Sequence, residues 1–492
     1  MTALSGGAAP NFFNTYATTL LGLVSSYSKA LQFQLMTNRE WQFGWYFRDR
    51  WQVSRKLTLN LGLRYEYYPL ITRKDRGIER WDPETNKVQL GGIGSVPRSV
   101  GIITSKKLFG PRVGFAYRLN DSTVIRSGYG ITYDPLPFSR PLRGLYPASI
   151  RANWVSDPYS WFNRIDQGIP SIPVPDISSG VIDLPRDVDM GPRSPWAGEL
   201  HRGYIQSWNF TIERKLPADW VTSIAYVGTQ TVHQLLDTDI NAGFPGSGTR
   251  GRPLYARLGR SITTAMWDGW AGVGRNWAPQ IRWNRARTGY DRTHMFAIGW
   301  LYELPLGPNK TWASSGMAAK ALGNWQINGA FGAYTGTPFT VSASGASVNA
   351  PGNTQTADLV KPGKVTKLGK IGPGEQFFDA LAFRSVSEVR FGNAGRNILT
   401  GPGIVNLNLN LSLFRSMSVT ERLKMEVKAE AFNFTNTPHF NNPSTNVSNM
   451  ALNPDGTIRS LGNFMSVTGA NIMGRQEPGD ERQFRFGIRF SF

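Results

Sequence analysis

The stretch that most limits what this chain can become is its last ten residues, Gln483-Phe484-Arg485-Phe486-Gly487-Ile488-Arg489-Phe490-Ser491-Phe492. Apolar side chains stand at 484, 486, 488, 490 and 492, and polar residues or glycine stand between them. Successive side chains of a strand point to opposite faces, so the segment has one greasy face and one wet face. The greasy face consists of Phe484, Phe486, Ile488, Phe490 and Phe492. Offered to water, such a strand would recruit other strands along its edge. In a closed sheet within a membrane, the aromatic face meets lipid and the edge is paired. The competing reading is an ordinary edge strand of a soluble β-sandwich.

Arg485, Gly487, Phe490 and Phe492 fall in the register of the C-terminal assembly signal of bacterial outer-membrane barrels, which this tail resembles. The remainder of the chain agrees with that resemblance. No window approaches 18 continuous apolar residues, so no transmembrane helix is expected, whereas alternating strands keep mean hydropathy low with one face wholly apolar. There are no cysteines, which excludes disulfide frameworks, thiolate metal sites and cysteine nucleophiles. The net charge of +20 raises the possibility of nucleic-acid binding. The basic residues, however, are spread singly along strands, where a lumen wall and rim would hold them, and no nucleic-acid partner is expected. The first ten residues carry no basic region followed by an apolar one, so they are not a secretory signal. The expectation is therefore the C-terminal part of a longer protein.

Alternation marks the strands. Leu57–Tyr67 sets six apolar residues against Thr58, Asn60, Gly62, Arg64 and Glu66. Further strands are expected at 31–35, 41–53, 109–119, 123–133, 204–215, 220–232, 294–304, 325–341 (broken at 336–338), 404–413, 423–431 and the C-terminus, about 12 in all. A phase flip at Phe432 and Phe434 predicts a bulge. Residues 278–286 are a possible additional strand pair. The connections at 54–56, 120–121, 216–219, 305–322 and 415–420 are short. Those at 69–108, 135–203, 233–290, 345–403 and 436–480 are long. This strict alternation is what short periplasmic turns and long extracellular loops produce. Five loops of roughly 40–70 residues would be abnormal in a compact soluble domain.

Several stretches together resemble one family. They are Phe109-Gly110-Pro111-Arg112-Val113-Gly114-Phe115-Ala116-Tyr117, Ile125 through Asp134, Gln206-Ser207-Trp208-Asn209-Phe210 with Ala225-Tyr226-Val227-Gly228, Asp291-Arg292-Thr293-His294, Tyr334 through Phe339, and Glu430 through Asn436. Over residues 15–492 the chain is similar to the Oar-like TonB-dependent receptors. That resemblance implies a 22-stranded barrel, an N-terminal plug, a TonB-engaging motif and a leading carboxypeptidase-regulatory-like domain. The present stretch departs from it in carrying no plug, no TonB motif, no leading domain and about half the strands.

The resulting expectation is an all-β fold: an antiparallel transmembrane β-barrel of the bacterial outer membrane, C-terminal portion. Residues 1–15 form an irregular segment and 16–492 the barrel domain. The four histidines are scattered, and no catalytic motif, metal-ligand spacing or cofactor fingerprint is present, so neither an enzyme nor a cofactor is expected. The expected lumen lining is Arg64, Glu66, Asn406, Asn408, Asn410, Lys424, Glu426, Lys428 and Glu430. Trp41, Trp45, Trp51, Tyr65, Tyr67 and Tyr68 are expected in interface girdles rather than on sugars. The expected function is uptake of a large or scarce solute such as a siderophore, a glycan or a peptide. The expected partners are outer-membrane lipid and lipopolysaccharide, the barrel-assembly machinery, and the TonB complex through the plug region. Two alternatives remain open: a passive pore or adhesin, and a secreted carbohydrate-binding β-protein.

Overall fold

The computed structural model describes residues 12–135, 146–156, 161–185, 188–189, 193–217, 220–233, 236–258, 265–268, 271–272, 274–308, 310–405, 410–418, 423–469 and 482–491. Its centre is one 12-stranded sheet. The strands are β1 (Phe43–Gln52), β2 (Leu57–Tyr67), β3 (Leu108–Asn120), β4 (Thr123–Tyr133), β5 (Tyr204–Lys215), β6 (Trp220–Val232), β7 (Met295–Glu303), β8 (Trp325–Tyr334), β9 (Ile404–Val405), β10 (Asn410–Ser418), β11 (Lys424–Phe432) and β12 (Gln483–Ser491). Each pairs antiparallel with its sequence neighbour, and β9 and β10 share β8 as partner. The fold is thus the expected all-β antiparallel meander. Among the described residues the outer edges of β1 and β12 pair with no other strand. No described helix is long and apolar enough to cross a membrane, which says nothing about strands.

The register carries the apolar alternation across the sheet. Trp51, Leu59, Phe115, Ser127, Phe210, Tyr226 and Phe296 stand opposite one another in turn along a single row. The same face ends at β12 in Phe484, Phe486, Ile488 and Phe490, all exposed, with Phe486 at 81%. Two tryptophans on this face lie across glycines of the adjacent strand. A Cβ on Gly228 would come 2.4 Å from the Trp208 ring, and one on Gly329 would come 1.9 Å from the Trp300 ring.

The buried core lies elsewhere, in the long connections. Trp81, Leu90, Ile150, Ile182 and Leu254 form one cluster drawn from the β2–β3, β4–β5 and β6–β7 connections. Val341, Ala357, Phe383, Phe464 and Met465 form another, from β8–β9 and β11–β12. These stretches were expected as loops; they are folded caps with small sheets of their own. Arg275 joins the two halves. Its Nη2 donates to the Gly392 carbonyl at 2.6 Å and to Thr356 Oγ1, and its guanidinium lies 4.7 Å from the Trp283 ring and 5.2 Å from that of Phe391. Burial pushes its pKa down to about 10.

Four local expectations are corrected. The strand expected at 31–35 runs Ser26–Gln32 and pairs with Ser149–Val155, outside the main sheet. A helix, Phe12–Leu20, reaches into the segment expected to be irregular. Residues 278–286 hold a 3-10 helix, Ala278–Asn284, rather than strands. The phase flip after Phe432 is no bulge: β11 stops there, Asn433 takes φ +45°, and its Oδ1 accepts from Thr437 N at 3.0 Å. The turn that Asn433 opens ends the strand instead of inserting into it.

A bidentate clamp holds the second cap. Arg390 Nη1 and Nη2 donate to Asp358 Oδ1 and Oδ2 at 2.9 and 2.6 Å, and Asn393 N adds a bond to Oδ1 at 3.0 Å. The Arg390 guanidinium first, and the Asn393 amide after it, hold the Asp358 carboxyl below the usual carboxylate range. A lowered folded-state pKa contributes stability that is complete above the unfolded value and is lost as pH falls through the folded one. Amide exchange at 357–359 and 391–394 should therefore accelerate as pH drops below about 4, after correction for intrinsic rates. In Asp358→Asn that pH response should vanish; an unchanged response would assign it to another group.

Candidate functional site

The face opposite the apolar rows is polar, and its glycines let long side chains lie flat. In one row Arg48, Gly62, Arg112 and Gly130 oppose one another across four strands. In the next, Arg50, Asn60, Gly114, Gly128 and Asn209 do so across five. A Cβ on Gly130 would touch Arg112 Cγ at 3.5 Å, and one on Gly44 would crowd the Arg64 guanidinium at 2.7 Å. Tyr46, Arg48, Arg64, Arg112 and Asn209 border a trough of about 570 Å³ here. Arg64 was expected on this face; Arg48 and Arg112 were not singled out. Their clustering depends on register between strands, which alternation within each strand does not give.

The expected lumen residues fall into two separate groups on this face. Arg64 Nε donates to Glu66 Oε1 at 2.7 Å on β2. On β11, Lys428 pairs with Glu430 at 3.0 Å. Cross-strand register sets Glu430 opposite Arg485, Lys428 opposite Gly487, Glu426 opposite Arg489 and Lys424 opposite Ser491. A Cβ on Gly487 would meet Lys428 Cε at 3.1 Å, and Arg485 stacks 4.6 Å over the Phe432 ring. Arg485 and Gly487 of the terminal motif thus complete a charge ladder with β11. Asn410 begins β10 opposite Ala330. Asn406, Asn408 and Phe492 lie outside the described residues. Residues 218–219 and 419–420 of the two expected turns at 216–219 and 415–420 also lie outside the described residues, while 415–418, expected in a turn, extend β10 instead.

Aromatic residues gather at the strand ends. At the long-connection end Trp45 stacks on Tyr65 at 5.7 Å, Tyr65 lies 4.8 Å from Phe109, and Tyr133 lies 5.7 Å from Tyr204. At the short-turn end Trp220 stacks on Tyr302 at 4.4 Å. Tyr68 departs from the expected girdle. It is buried beneath Arg202, whose Cζ is 5.7 Å from its ring. Burial, with the Glu66 carboxylate adding to it, pushes the Tyr68 hydroxyl up to about 12. Among the described residues no group of three or more His, Cys, Asp or Glu is placed to hold a metal ion.

A family model described as an outer membrane beta barrel domain matches residues 1–271 and 255–477. Among solved structures, the chain is similar to the ferripyoverdine receptor of Pseudomonas aeruginosa bound to ferripyoverdine, at 12% identity and a TM-score of 0.32, over 92% of this chain and 39% of that one. It is also similar to the ferric citrate transporter FecA, at 9% identity and TM-score 0.32, over 91% and 45%. A third is the ferric-catecholate import receptor of E. coli, at 10% and 0.26, over 92% and 42%. The chain therefore spans less than half the length of the solved structures it matches. The comparison with curated proteins found no match.

Proposed function

We propose that this chain, which belongs to the outer membrane beta barrel domain family and resides in the bacterial outer membrane, is the C-terminal part of the barrel of a TonB-dependent receptor of the Oar-like kind. The observation that carries the reading is the pairing pattern. A meander in which five short and five long connections alternate, with β9 and β10 counted together beside β8, ends in two strand edges, β1 and β12, that have no partner among the described residues. In hydrocarbon every backbone N–H and C=O needs a partner, so those edges call for further strands that close the wall.

In that reading residues 16–492 are barrel and caps. The folded caps capture a large or scarce solute, and the arginine-lined polar face is the wall of its path. The lumen residues Arg64, Glu66, Lys424, Glu426, Lys428 and Glu430 keep that wall hydrated and mutually paired. The β12 motif is what the barrel-assembly machinery engages. Lipopolysaccharide and lipid bound the outside, and TonB acts through a plug region outside these residues. The chemistry is binding and passage, not catalysis.

The cysteine-free sequence makes the topology directly testable. Single cysteines at Ser178 and Asp455, both exposed in the caps, should react with an impermeant maleimide on intact cells. Cysteines at Ser54 and Asp121, in the short turns, should react only after the outer membrane is permeabilised. The opposite pattern would overturn the orientation. Solute uptake that persists at full rate without TonB would assign a passive pore instead.

A further inference from the structure

One cavity borders the membrane-facing side of the sheet rather than the polar wall. Its volume is about 1180 Å³. Its strand side is made by Tyr226, Phe296 and Ala333, which stand in one cross-strand row on the same apolar face as Phe484 and Phe486. Its other side is a strap of the second cap, residues 359–367, together with Phe378. Three cations line it: Arg287, Lys364 and Lys367. No carboxylate is among its described lining residues. Arg287 donates to two neutral hydroxyls, Thr293 Oγ1 at 3.3 Å and Thr400 Oγ1 at 2.8 Å. Lys367 lies 4.9 Å over the Phe377 ring. Lys364 is exposed.

This combination is specific. A solute crossing the barrel would travel along the polar face, and an apolar floor on the lipid side is of no use to it. The cavity lies at the long-connection end of the strands, beside Tyr226 and His294, whose rings are 6.3 Å apart. That is the level at which aromatic side chains sit between hydrocarbon and headgroups. An amphiphile at that depth would lay acyl chains on Tyr226 and Phe296 and raise its headgroup to the strap, and three cations with no carboxylate among the described lining residues select a negative headgroup.

We propose that this cavity binds a phosphorylated glycolipid of the outer leaflet, with its acyl chains against β6–β8 and its phosphates between Arg287, Lys364 and Lys367. The inference rests on the orientation proposed above, which places the long connections outside the cell. Bound lipid of this kind would brace the strap against the sheet and so fix the second cap over the barrel mouth.

The test uses the complete receptor in nanodiscs, with diphosphoryl lipid A as probe and native mass spectrometry as readout. Lys364→Glu combined with Lys367→Glu should lower occupancy by about tenfold or more, as expected when surface cations near anionic lipid are reversed. The same charge change at exposed Lys106 and Lys107, which do not line the cavity, should leave occupancy within about twofold. Should the glutamate pair fail to fold, Lys364→Gln with Lys367→Gln is measured in the same way. Equal binding of fully dephosphorylated lipid A would overturn the proposal by removing the role of the cations. Protection of the strap from exchange by inorganic phosphate alone would overturn it by showing a free-anion site. The topology experiment separates the two readings: external labelling of Ser178 and Asp455 with no effect of the lysine variants defeats the lipid site alone, whereas inverted labelling defeats both.

Discussion

Replacing Phe486 with arginine should destabilise the assembled wall by about 2–4 kcal/mol, the cost of a cation on the lipid face near mid-bilayer. Phe486 stands at the middle of β12 opposite Ala429, with its ring 81% exposed on the face continuous with Phe296 and Phe210. Its neighbour Arg485 is on the other face, stacked on Phe432 across from Glu430. Arg489→Ser, on that polar face, should cost well under 1 kcal/mol, as solvated surface changes do. Folding titrations in lipid vesicles, scored by heat-modifiable mobility, give both numbers. Equal costs for Phe486→Arg and Arg489→Ser would mean that the aromatic face does not meet lipid. The same experiment bears on assembly, because β12 holds the alternation that the terminal motif requires.

The second large effect is expected at a glycine. Gly329 lies directly opposite Trp300, and a Cβ there would fall 1.9 Å from Cζ2 of the indole. The ring cannot yield sideways without leaving the row it shares with Thr222. Gly329→Ala should therefore cost about 1–3 kcal/mol, the usual range for overpacking. Gly299, on the adjacent strand, has open space around its Cα, so Gly299→Ala should be close to neutral. Adding Trp300→Ala to Gly329→Ala should recover most of the loss, and the double-mutant cycle isolates the contact. A Gly329→Ala variant as stable as Gly299→Ala would show that the indole does not lie across the glycine in solution.

The strands of the sheet were legible because their physical constraint is local. Leu57–Tyr67, Thr123–Tyr133, Tyr204–Lys215 and Trp220–Val232 have the expected bounds, since one lipid face and one wet face impose a strict period of two. The caps were not legible. Trp81, Ile150 and Leu254 meet in one core although they come from three connections, and nothing in the period of any one segment announces that meeting. The break in 325–341 was visible at Gly336-Thr337-Pro338, but not that Pro338–Phe339 would leave the sheet to pair with Leu399–Thr400. The candidate site follows the same rule. Arg64 and Glu66 were readable as neighbours two residues apart on one face. The Arg48–Gly62–Arg112 row and the Glu430–Arg485 ladder needed strand register, which is set by turn geometry and pairing across many residues.

Among the described residues the buried clusters lie in the caps and not in the sheet, which gives this chain two kinds of folding in alternation. The caps bury Val88, Ile150, Val341 and Phe464 from water, so their stability belongs to the hydrophobic effect in aqueous solution. The sheet leaves its large side chains outside, so its stability waits for a bilayer. During export such a polypeptide meets water long before it meets lipid. The cap segments carry their driving force for burial already in water, whereas the strands between them do not. Assembly of this barrel must therefore join two events, the pairing of strands in lipid and the meeting of distant connections in water, because each cap core is complete only when its separate connections come together.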